Sequence, residues 1–251
     1  MEQFAKSNND GWSSPPSALG SPRAQVHLWR VLLDVLPADH SCLAPDEETR
    51  AGKLVHLRHR YRFVAMRSAL RAILGRYLQI PPSSVVFSYG EKGKPSLRDE
   101  QNRIDLRFNL SHSGHLGILA VACGRELGVD VETRQQVVDY MAIAQRFFSP
   151  REHQAIAELP EDLRQRAFLR CWTRKEAYVK ALGAGLSCSL QSFSVSVSPQ
   201  LSYDALVKAA CPGAYHVSDL ALPDECYSAL AVEGGYLPRC SWTYQPRLVR
   251  R

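Results

Sequence analysis

The sequence predicts an α+β fold built from two similar halves. In each half, a long helical segment that ends in Leu-Gly precedes a strand-like segment containing Phe-Ser, and a strand of small apolar residues closes the unit. Repetition of one pattern indicates two related halves, which we place at 23–124 and 125–251. The matching segments are Leu74-Gly75 with Leu182-Gly183, Phe87-Ser88 with Phe193-Ser194, and residues 116–122 with residues 229–232.

Composition limits the class of protein. The 251 residues, 45% of them hydrophobic, are enough for sizeable cores, and the net charge of +6 favours acidic or phosphate-bearing partners. No segment approaches the ~20 apolar residues of a membrane span, and the N-terminus lacks a signal-peptide core, so we expect no membrane contact. Seven scattered cysteines without a Cys-x-x-Cys pair predict a reducing, cytoplasmic location. Residues 1–22, rich in Ser, Asn, Gly and Pro, predict a disordered tail.

The elements of the N-terminal half follow from apolar spacing and from the breaks. Residues 26–33 predict a strand, and residues 46–77 predict one or two helices with a core-facing apolar stripe. Seven arginines lie along this helical segment, and we expect most of them on a solvated face. The Pro81-Pro82 pair ends the segment, and residues 85–89 and 116–122 predict two further strands.

The C-terminal half begins with an alternating strand at 127–132. Residues 140–159 predict helix with a break at Ser149-Pro150, because Ser can cap a new helix that has Pro at its first position. Residues 163–182 contain no Pro or Gly and predict a long helix that Gly183 ends. The remaining predicted strands are 192–197 and 227–232, and the basic stretch 238–251 has no assigned element.

The strand at 127–132 carries two carboxylates. Alternation puts Val129 and Val131 on one face and Asp130 and Glu132 on the other. Adjacent carboxylates repel each other unless they are exposed or bound to a cation. The pattern therefore fits either an acidic outer face or one side of a cation site.

The helix at 163–182 carries a third carboxylate, Glu176, at the edge of an apolar stripe. An ionised group there requires a partner, and Lys180 lies one turn later. The pair is either an ordinary surface contact or part of a site. We expect this helix to meet the acidic strand and to hold Mg²⁺ against a pyrophosphate, which indicates phosphoryl-type group transfer.

Two further stretches could contact phosphate. Residues 90–95 form a Gly- and Lys-rich loop, whose backbone N–H groups and lysines Lys92 and Lys94 could grip phosphate, although a plain basic turn fits equally. In Asn109-Leu-Ser-His-Ser113, His112 is either a phosphate donor or a structural histidine.

These motifs occur in one order: Gly93-Lys94-Pro95, then Asn109-Leu-Ser-His-Ser113, then Gly128-Val-Asp-Val-Glu132, then Trp172-x-x-Lys-Glu-Ala-x-x-Lys180. As an ordered set, from about Trp29 to Val232, they resemble the 4′-phosphopantetheinyl transferases of the surfactin-synthetase-activating type. The resemblance implies a pseudo-dimer of two α+β halves, monomeric, with coenzyme A in the cleft between them. It implies transfer of the 4′-phosphopantetheine arm to a serine of an acyl or peptidyl carrier protein of fatty-acid, polyketide or nonribosomal peptide synthesis, with release of adenosine 3′,5′-bisphosphate.

The resemblance also implies residue roles. Asp130, Glu132 and Glu176 would bind Mg²⁺, or Mn²⁺ in its place. Glu176, or Glu132 through a water, would take the proton of the carrier serine, and Lys180 would assist the leaving group. The coenzyme A contacts would be Arg50, Lys92, Lys94, Asn109, Ser111, His112, Asp130 and Lys180.

Two other functions remain open at this point. A non-catalytic relative could bind coenzyme A or carrier proteins without transfer. A basic nucleic-acid-binding protein could use the arginine-rich helix, although the sequence contains no recognised nucleic-acid module, and we therefore expect no nucleic-acid partner.

Overall fold

Two four-stranded sheets, each covered by a long helix, carry the elements of the chain. The structure is a computed structural model that describes residues 11–133, 139–183, 185, 188–198, 204–208, 213–222 and 226–246. Its helices are α1 Pro45–Gly52, α2 Leu57–Leu78, α3 Tyr140–Phe147, α4 Pro150–Ala157 and α5 Glu161–Leu182. Its strands are β1 Val26–Leu32, β2 Phe87–Tyr89, β3 Pro95–Leu97, β4 Leu106–Ser113, β5 Leu116–Cys123, β6 Leu127–Thr133, β7 Asp204–Lys208, β8 Ala214–Asp219, β9 Cys226–Glu233 and β10 Arg239–Thr243.

The two sheets have the strand orders β10-β1-β5-β4 and β6-β9-β8-β7, and β2 and β3 form a separate hairpin. Helix α2 packs on the first sheet and α5 on the second, each around its own apolar cluster. A third cluster joins the opposite faces of both sheets. Strand β5 is buried on both faces, with Leu119 and Val121 in the α2 cluster and Ile118 and Ala120 in the shared one. The α+β class and the paired halves predicted from the sequence are confirmed.

Residues 192–197 do not form the predicted strand, because side chains take up the backbone groups that a neighbouring strand would pair. Lys175 donates to the carbonyl of Phe193 at 2.6 Å, and Arg174 donates to that of Ser196. The Val195 N–H donates to Glu152 at 2.7 Å. The strand predicted from the alternation of residues 192–197 is therefore wrong.

Part of the N-terminal tail is packed around Trp12, which differs from the expected disorder of residues 1–22. Trp12 is 3% exposed, and its indole N–H donates to the Ala221 carbonyl at 2.8 Å. The Ser13 N–H donates to the Ser241 carbonyl, so the segment runs beside β10. The apolar area of Trp12 stabilises the packed segment. Residues 1–10 lie outside the described part of the chain.

The unassigned C-terminal stretch supplies β10, which pairs in parallel with β1 of the first sheet. The chain therefore returns to the N-terminal half at its end. The division of the chain at residue 125 stays a prediction. Strand β10 departs from it, because β10 belongs to the second half in sequence and to the first sheet in space.

The arginines of α2 lie in intramolecular ion pairs more than on a solvated face. Arg67 and Arg71 are buried and both donate to Glu47 at 2.5 Å. Arg58 and Arg62 both donate to Asp34. Within the described residues, no helix combines the length and apolarity needed to cross a bilayer.

Candidate functional site

The two sheets meet along β4 and β6, and side chains of β4 bridge the junction. The Asn109 amide oxygen accepts from the Val129 N–H at 2.9 Å. Two residues on, the Ser111 hydroxyl donates to Asp130 at 2.9 Å. Two residues further, the Ser113 hydroxyl donates to Glu132 at 2.9 Å. Because successive alternate residues of a strand share one face, a single face of β4 holds the acidic segment of β6 in place.

Helix α5 approaches β6 closely because Gly128 has no side chain. A Cβ there would lie 2.1 Å from the Ala177 carbonyl oxygen and 2.3 Å from the Ala181 nitrogen. Real Cβ atoms essentially never come within 3.0 Å of a neighbour. The glycine therefore sets the distance between the strand that carries Asp130 and the helix that carries Glu176 and Lys180.

Asp130 forms the buried centre of the site. Its side chain is 5% exposed, and the Lys180 ammonium lies 2.6 Å from Oδ1. Lys180 also donates to the Ser111 hydroxyl at 2.9 Å, and the Ser228 hydroxyl donates to the Asp130 backbone carbonyl. Burial raises the pKa of Asp130, while the positive charge and hydrogen bond of Lys180 oppose that rise. Lys180 thus supplies a positive charge beside a carboxylate that is costly to bury alone.

Glu132 and Glu176 share the electrostatic environment of Asp130. Burial raises the pKa of both glutamates, and the negative charge of Asp130 raises them further. Glu132 also raises the pKa of Glu176, whereas Lys180 lowers the pKa of both. The three predicted carboxylates are therefore close enough to repel one another.

The donor set fits a divalent cation. Asp130 Oδ2 is buried and receives no hydrogen bond, so one carboxylate oxygen of the site lacks a partner. Oxygen donors of this kind suit Mg²⁺, and a cation would relieve the repulsion among the three acids. In the described ranges, however, no three His, Cys, Asp or Glu side chains already stand in the geometry of a metal site. Lys180, at 2.6 Å from Asp130, shows where positive charge is already favoured.

A cleft of about 330 Å³ opens beside this cluster, and both halves of the chain line it. Its volume lies in the range of small-molecule sites. Five predicted site residues belong to its wall: Lys92, Lys94, Asn109, Glu176 and Lys180. Ser111 and Asp130 contact Lys180 and so adjoin the cleft.

Two of the predicted coenzyme A contacts have other bonds. The Lys94 ammonium donates to Glu126 at 2.7 Å and to the Ala181 carbonyl at 2.9 Å. The amide oxygen of Asn109 is bonded to β6. Both side chains line the cleft, but these contacts join the two halves.

His112 and Arg50 form part of a basic region near the cluster. The side chain of His112 reaches solvent, yet partial desolvation lowers its pKa, and the positive charges of Lys180, Arg62, Arg50 and His59 lower it further. The pKa of His112 therefore lies below that of an ordinary histidine, which favours the neutral form of its ring. Arg50 is exposed, with its guanidinium over the Phe63 ring.

Sequence reasoning did not assign roles to several residues that build the site. Ser113 is the last residue of the motif at 109–113. Its spacing of two residues from Ser111 could have indicated that both side chains lie on one face of the strand. Gly128 is the first residue of the motif at 128–132, and no steric role was assigned to it from the sequence. Ser228 had no local signal. Lys175 is fully buried in an ion pair with Glu152 at 2.8 Å, so this motif lysine supports the fold rather than the cleft.

Two family models match consecutive parts of the chain. Residues 27–124 match the model described as 4′-phosphopantetheinyl transferase, N-terminal. Residues 126–225 match the one described as 4′-phosphopantetheinyl transferase superfamily.

Similar proteins with curated names carry the same term. The chain is 37% identical over 238 residues to the 4′-phosphopantetheinyl transferase HetI of Nostoc sp., across 93% of this chain and 98% of the relative. It is 32% identical over 155 residues to the 4′-phosphopantetheinyl transferase Sfp of Bacillus subtilis, across 62% and 66%. It is 30% identical over 165 residues to the human L-aminoadipate-semialdehyde dehydrogenase-phosphopantetheinyl transferase, across 62% and 53%.

Proposed function

The chain belongs to the 4′-phosphopantetheinyl transferase family, and from that premise we propose that it transfers the phosphopantetheine arm of coenzyme A to a serine of an acyl or peptidyl carrier protein. The observation that carries the proposal is one cleft, lined by both halves, whose wall includes Lys92, Glu176 and Lys180, with Lys180 bonded to the buried carboxylate of Asp130. A cleft with both cations and carboxylates suits a phosphate ester that arrives with a metal ion.

Coenzyme A binds through its phosphates in this proposal. Arg50 and His112 lie in one basic region, because the charge of Arg50 affects the pKa of His112. Lys92 is exposed at the wall of the cleft and supplies a further positive charge. His112 donates one ring N–H to a phosphate oxygen, while the cations offset the phosphate charge.

Asp130, Glu132 and Glu176 hold Mg²⁺, or Mn²⁺, in the proposed site. The unsatisfied Oδ2 of Asp130 would supply one ligand oxygen, and a bound cation would relieve the repulsion that raises the pKa of both glutamates. When bound, the metal ion neutralises pyrophosphate oxygens and stabilises the charge that develops on them. Ser111 and Ser113 orient two of the ligands through their hydrogen bonds.

Glu176 acts as the general base. It lines the cleft in which the serine hydroxyl would react, and a carboxylate there can accept the hydroxyl proton. It takes the hydroxyl proton of the carrier serine as the serine oxygen bonds to the β-phosphorus. The bond from that phosphorus to the oxygen of adenosine 3′,5′-bisphosphate breaks in the same displacement, and Lys180 stabilises the negative charge on the leaving oxygen.

Mass spectrometry tests the proposal directly. Incubation of the protein with coenzyme A, Mg²⁺ and candidate apo-carrier proteins adds the mass of the arm to one serine of a carrier. We expect Asp130→Ala and Glu176→Ala to abolish the transfer while circular dichroism stays unchanged. Glu158→Ala, which removes an exposed carboxylate at the residue after α4, is the matched control and keeps full activity. Near-normal transfer by either site variant, or full turnover in excess EDTA, refutes the assignment.

The remaining properties of the proposal follow from the same features. We propose a cytoplasmic monomer, because each half buries its own core and both share a third. We propose no nucleic-acid partner, because four arginines of α2 are bonded to carboxylates of the same chain, two to Glu47 and two to Asp34. Salt-dependent binding of random DNA, undisturbed by coenzyme A, would contradict this.

A further inference from the structure

A salt bridge between Lys94 and Glu126 spans the two halves at the wall of the cleft. The Lys94 ammonium lies 2.7 Å from Glu126 Oε2. Lys94 belongs to the Gly- and Lys-rich loop of the first half, and Glu126 directly precedes β6. Glu126 uses its other oxygen to accept from Arg107 at 2.9 Å. The carboxylate is therefore held from two sides by cations of the first half.

The same ammonium also bonds the end of α5. It donates to the carbonyl oxygen of Ala181 at 2.9 Å, in the last turn of the helix. The last carbonyls of a helix lack partners within the helix, and a cation there also interacts favourably with the helix dipole. Lys94 thus caps, from the opposite half, the helix that carries Glu176 and Lys180.

The loops around this bridge pack tightly on each other. Gly183 has φ +67°, and a Cβ there would lie 3.3 Å from Lys94 Cδ. Gly185 has φ +52°, and a Cβ there would lie 3.2 Å from Lys92 Cβ. The position of residues 90–95 is therefore coupled to the segment that follows α5 by packing of the Lys92 and Lys94 side chains against these glycines, as well as by charge.

Lys94 also separates two cavities. It lines the site cleft and an adjoining cavity of about 400 Å³ whose wall includes Arg107 and Glu126. Because Lys94 belongs to the walls of both cavities, a change in the position of its side chain alters the lining of the cleft.

We propose that Glu126 is a positioning residue for the transfer reaction. It fixes Lys94 across the two halves and thereby holds residues 90–95 against the end of α5, in the geometry that binds coenzyme A. The proposal rests on the proposed function, since coenzyme A is the ligand of the cleft. Lys94 in this arrangement acts as a link between the halves, and its ammonium is used by protein acceptors rather than by phosphate.

A role for Lys94 as a phosphate ligand predicts the opposite change in coenzyme A affinity when Glu126 is neutralised. If Lys94 is a phosphate ligand that Glu126 holds back, neutralising Glu126 releases the lysine and tightens coenzyme A binding. If Glu126 positions Lys94, the same change weakens binding. The Lys94 side chain is 22% exposed and that of Glu126 34% exposed, so the bridge is partly screened by solvent and its loss has a moderate effect.

Isothermal titration of the full-length protein with coenzyme A and Mg²⁺ measures the sign. We expect Glu126→Gln to weaken the Kd about three- to tenfold and to change kcat at saturating coenzyme A less than twofold. Lys94→Met weakens it at least as much, and the double variant adds nothing to Lys94→Met, because both changes break one link. Glu233→Gln is the matched control: it removes a carboxylate that, among the described residues, accepts a hydrogen bond from the backbone N–H of Glu126 and forms no ion pair with Lys94, and it leaves the Kd unchanged.

Hydrogen exchange of the ligand-free protein gives a second readout that does not depend on the ligand or on activity. Peptides covering residues 89–97 exchange faster in Glu126→Gln than in the parent protein and in Glu233→Gln. An unchanged or tightened Kd, an additive double variant, an equal effect of Glu233→Gln, or unchanged exchange at 89–97 overturns the proposal. If the parent protein itself does not bind coenzyme A, the proposed function fails, and the exchange data still decide whether Glu126 docks the loop.

Discussion

Gly128→Ala tests the steric contact on which the geometry of the site depends. The added Cβ would lie 2.1 Å from the Ala177 carbonyl oxygen, and relief to the 3.0 Å that real Cβ atoms keep requires a movement of about 1 Å between β6 and α5. The atoms in the way belong to the backbone of a buried helix, so no side chain can turn aside. We expect a loss of about 3 kcal/mol in the free energy of unfolding, at the upper end of the range for overpacked cores.

The same movement separates the groups of the site. Lys180 lies 2.6 Å from Asp130, and a displacement of about 1 Å at a reacting centre can lower turnover about a hundredfold. Urea unfolding followed by fluorescence measures the stability, and mass spectrometry of a carrier protein measures kcat at a temperature where the variant is folded. Gly235→Ala is the control, because a Cβ there meets nothing within 4 Å. A stability within 0.5 kcal/mol of the parent, together with normal turnover, would refute the packing argument.

Three further changes test the charges of the site and of the core. Glu176→Gln lowers kcat about 10²- to 10⁴-fold, and it removes the acid limb of the parent kcat/KM profile; a limb that survives the substitution assigns the base elsewhere. Glu132→Gln stabilises the metal-free protein near pH 7 by on the order of 0.5 kcal/mol. The reason is that the pKa of Glu132 is higher in the folded than in the unfolded protein, so its ionised form destabilises the fold at higher pH. Thermal unfolding shows this gain in stability in EDTA but not with Mg²⁺. Glu47→Gln lowers the free energy of unfolding by about 3 to 5 kcal/mol, because it leaves Arg67 and Arg71 buried without their carboxylate. Arg58→Gln, which breaks an exposed pair with Asp34, changes the urea midpoint little. Equal effects of the two variants would show that the buried pairs do not stabilise the fold.

The motifs predicted much of the site because the relevant groups are close in sequence within each element. Alternation on β6 correctly separated Val129 and Val131 from Asp130 and Glu132, since the side-chain period of a strand is independent of what packs on it. Helical spacing correctly placed Glu176 and Lys180 on one side of α5. The ligand roles of these residues stay predictions.

Contacts between distant segments could not be predicted in this way. The sequence did not show whether Lys94 binds phosphate or acceptors of the protein. The structure places Glu126 and the Ala181 carbonyl within hydrogen-bond distance of its ammonium. Residues 192–197 have the alternation of a strand, and only the buried side chains of α4 and α5 show why they pair with none. Trp12 looked like part of a polar tail until its partner across the chain was known.

The amino-acid sequence by itself determined the class of fold, the family, and the faces of β6 and α5 that carry the acids and Lys180, because periodicity and motif order are local properties of the chain. The tertiary structure decided which oxygen of Asp130 remains without a partner, how closely Gly128 lets α5 approach, and what Lys94 bonds. Those properties depend on desolvation and on distances between segments far apart in sequence, and both exist only once the two sheets have packed together.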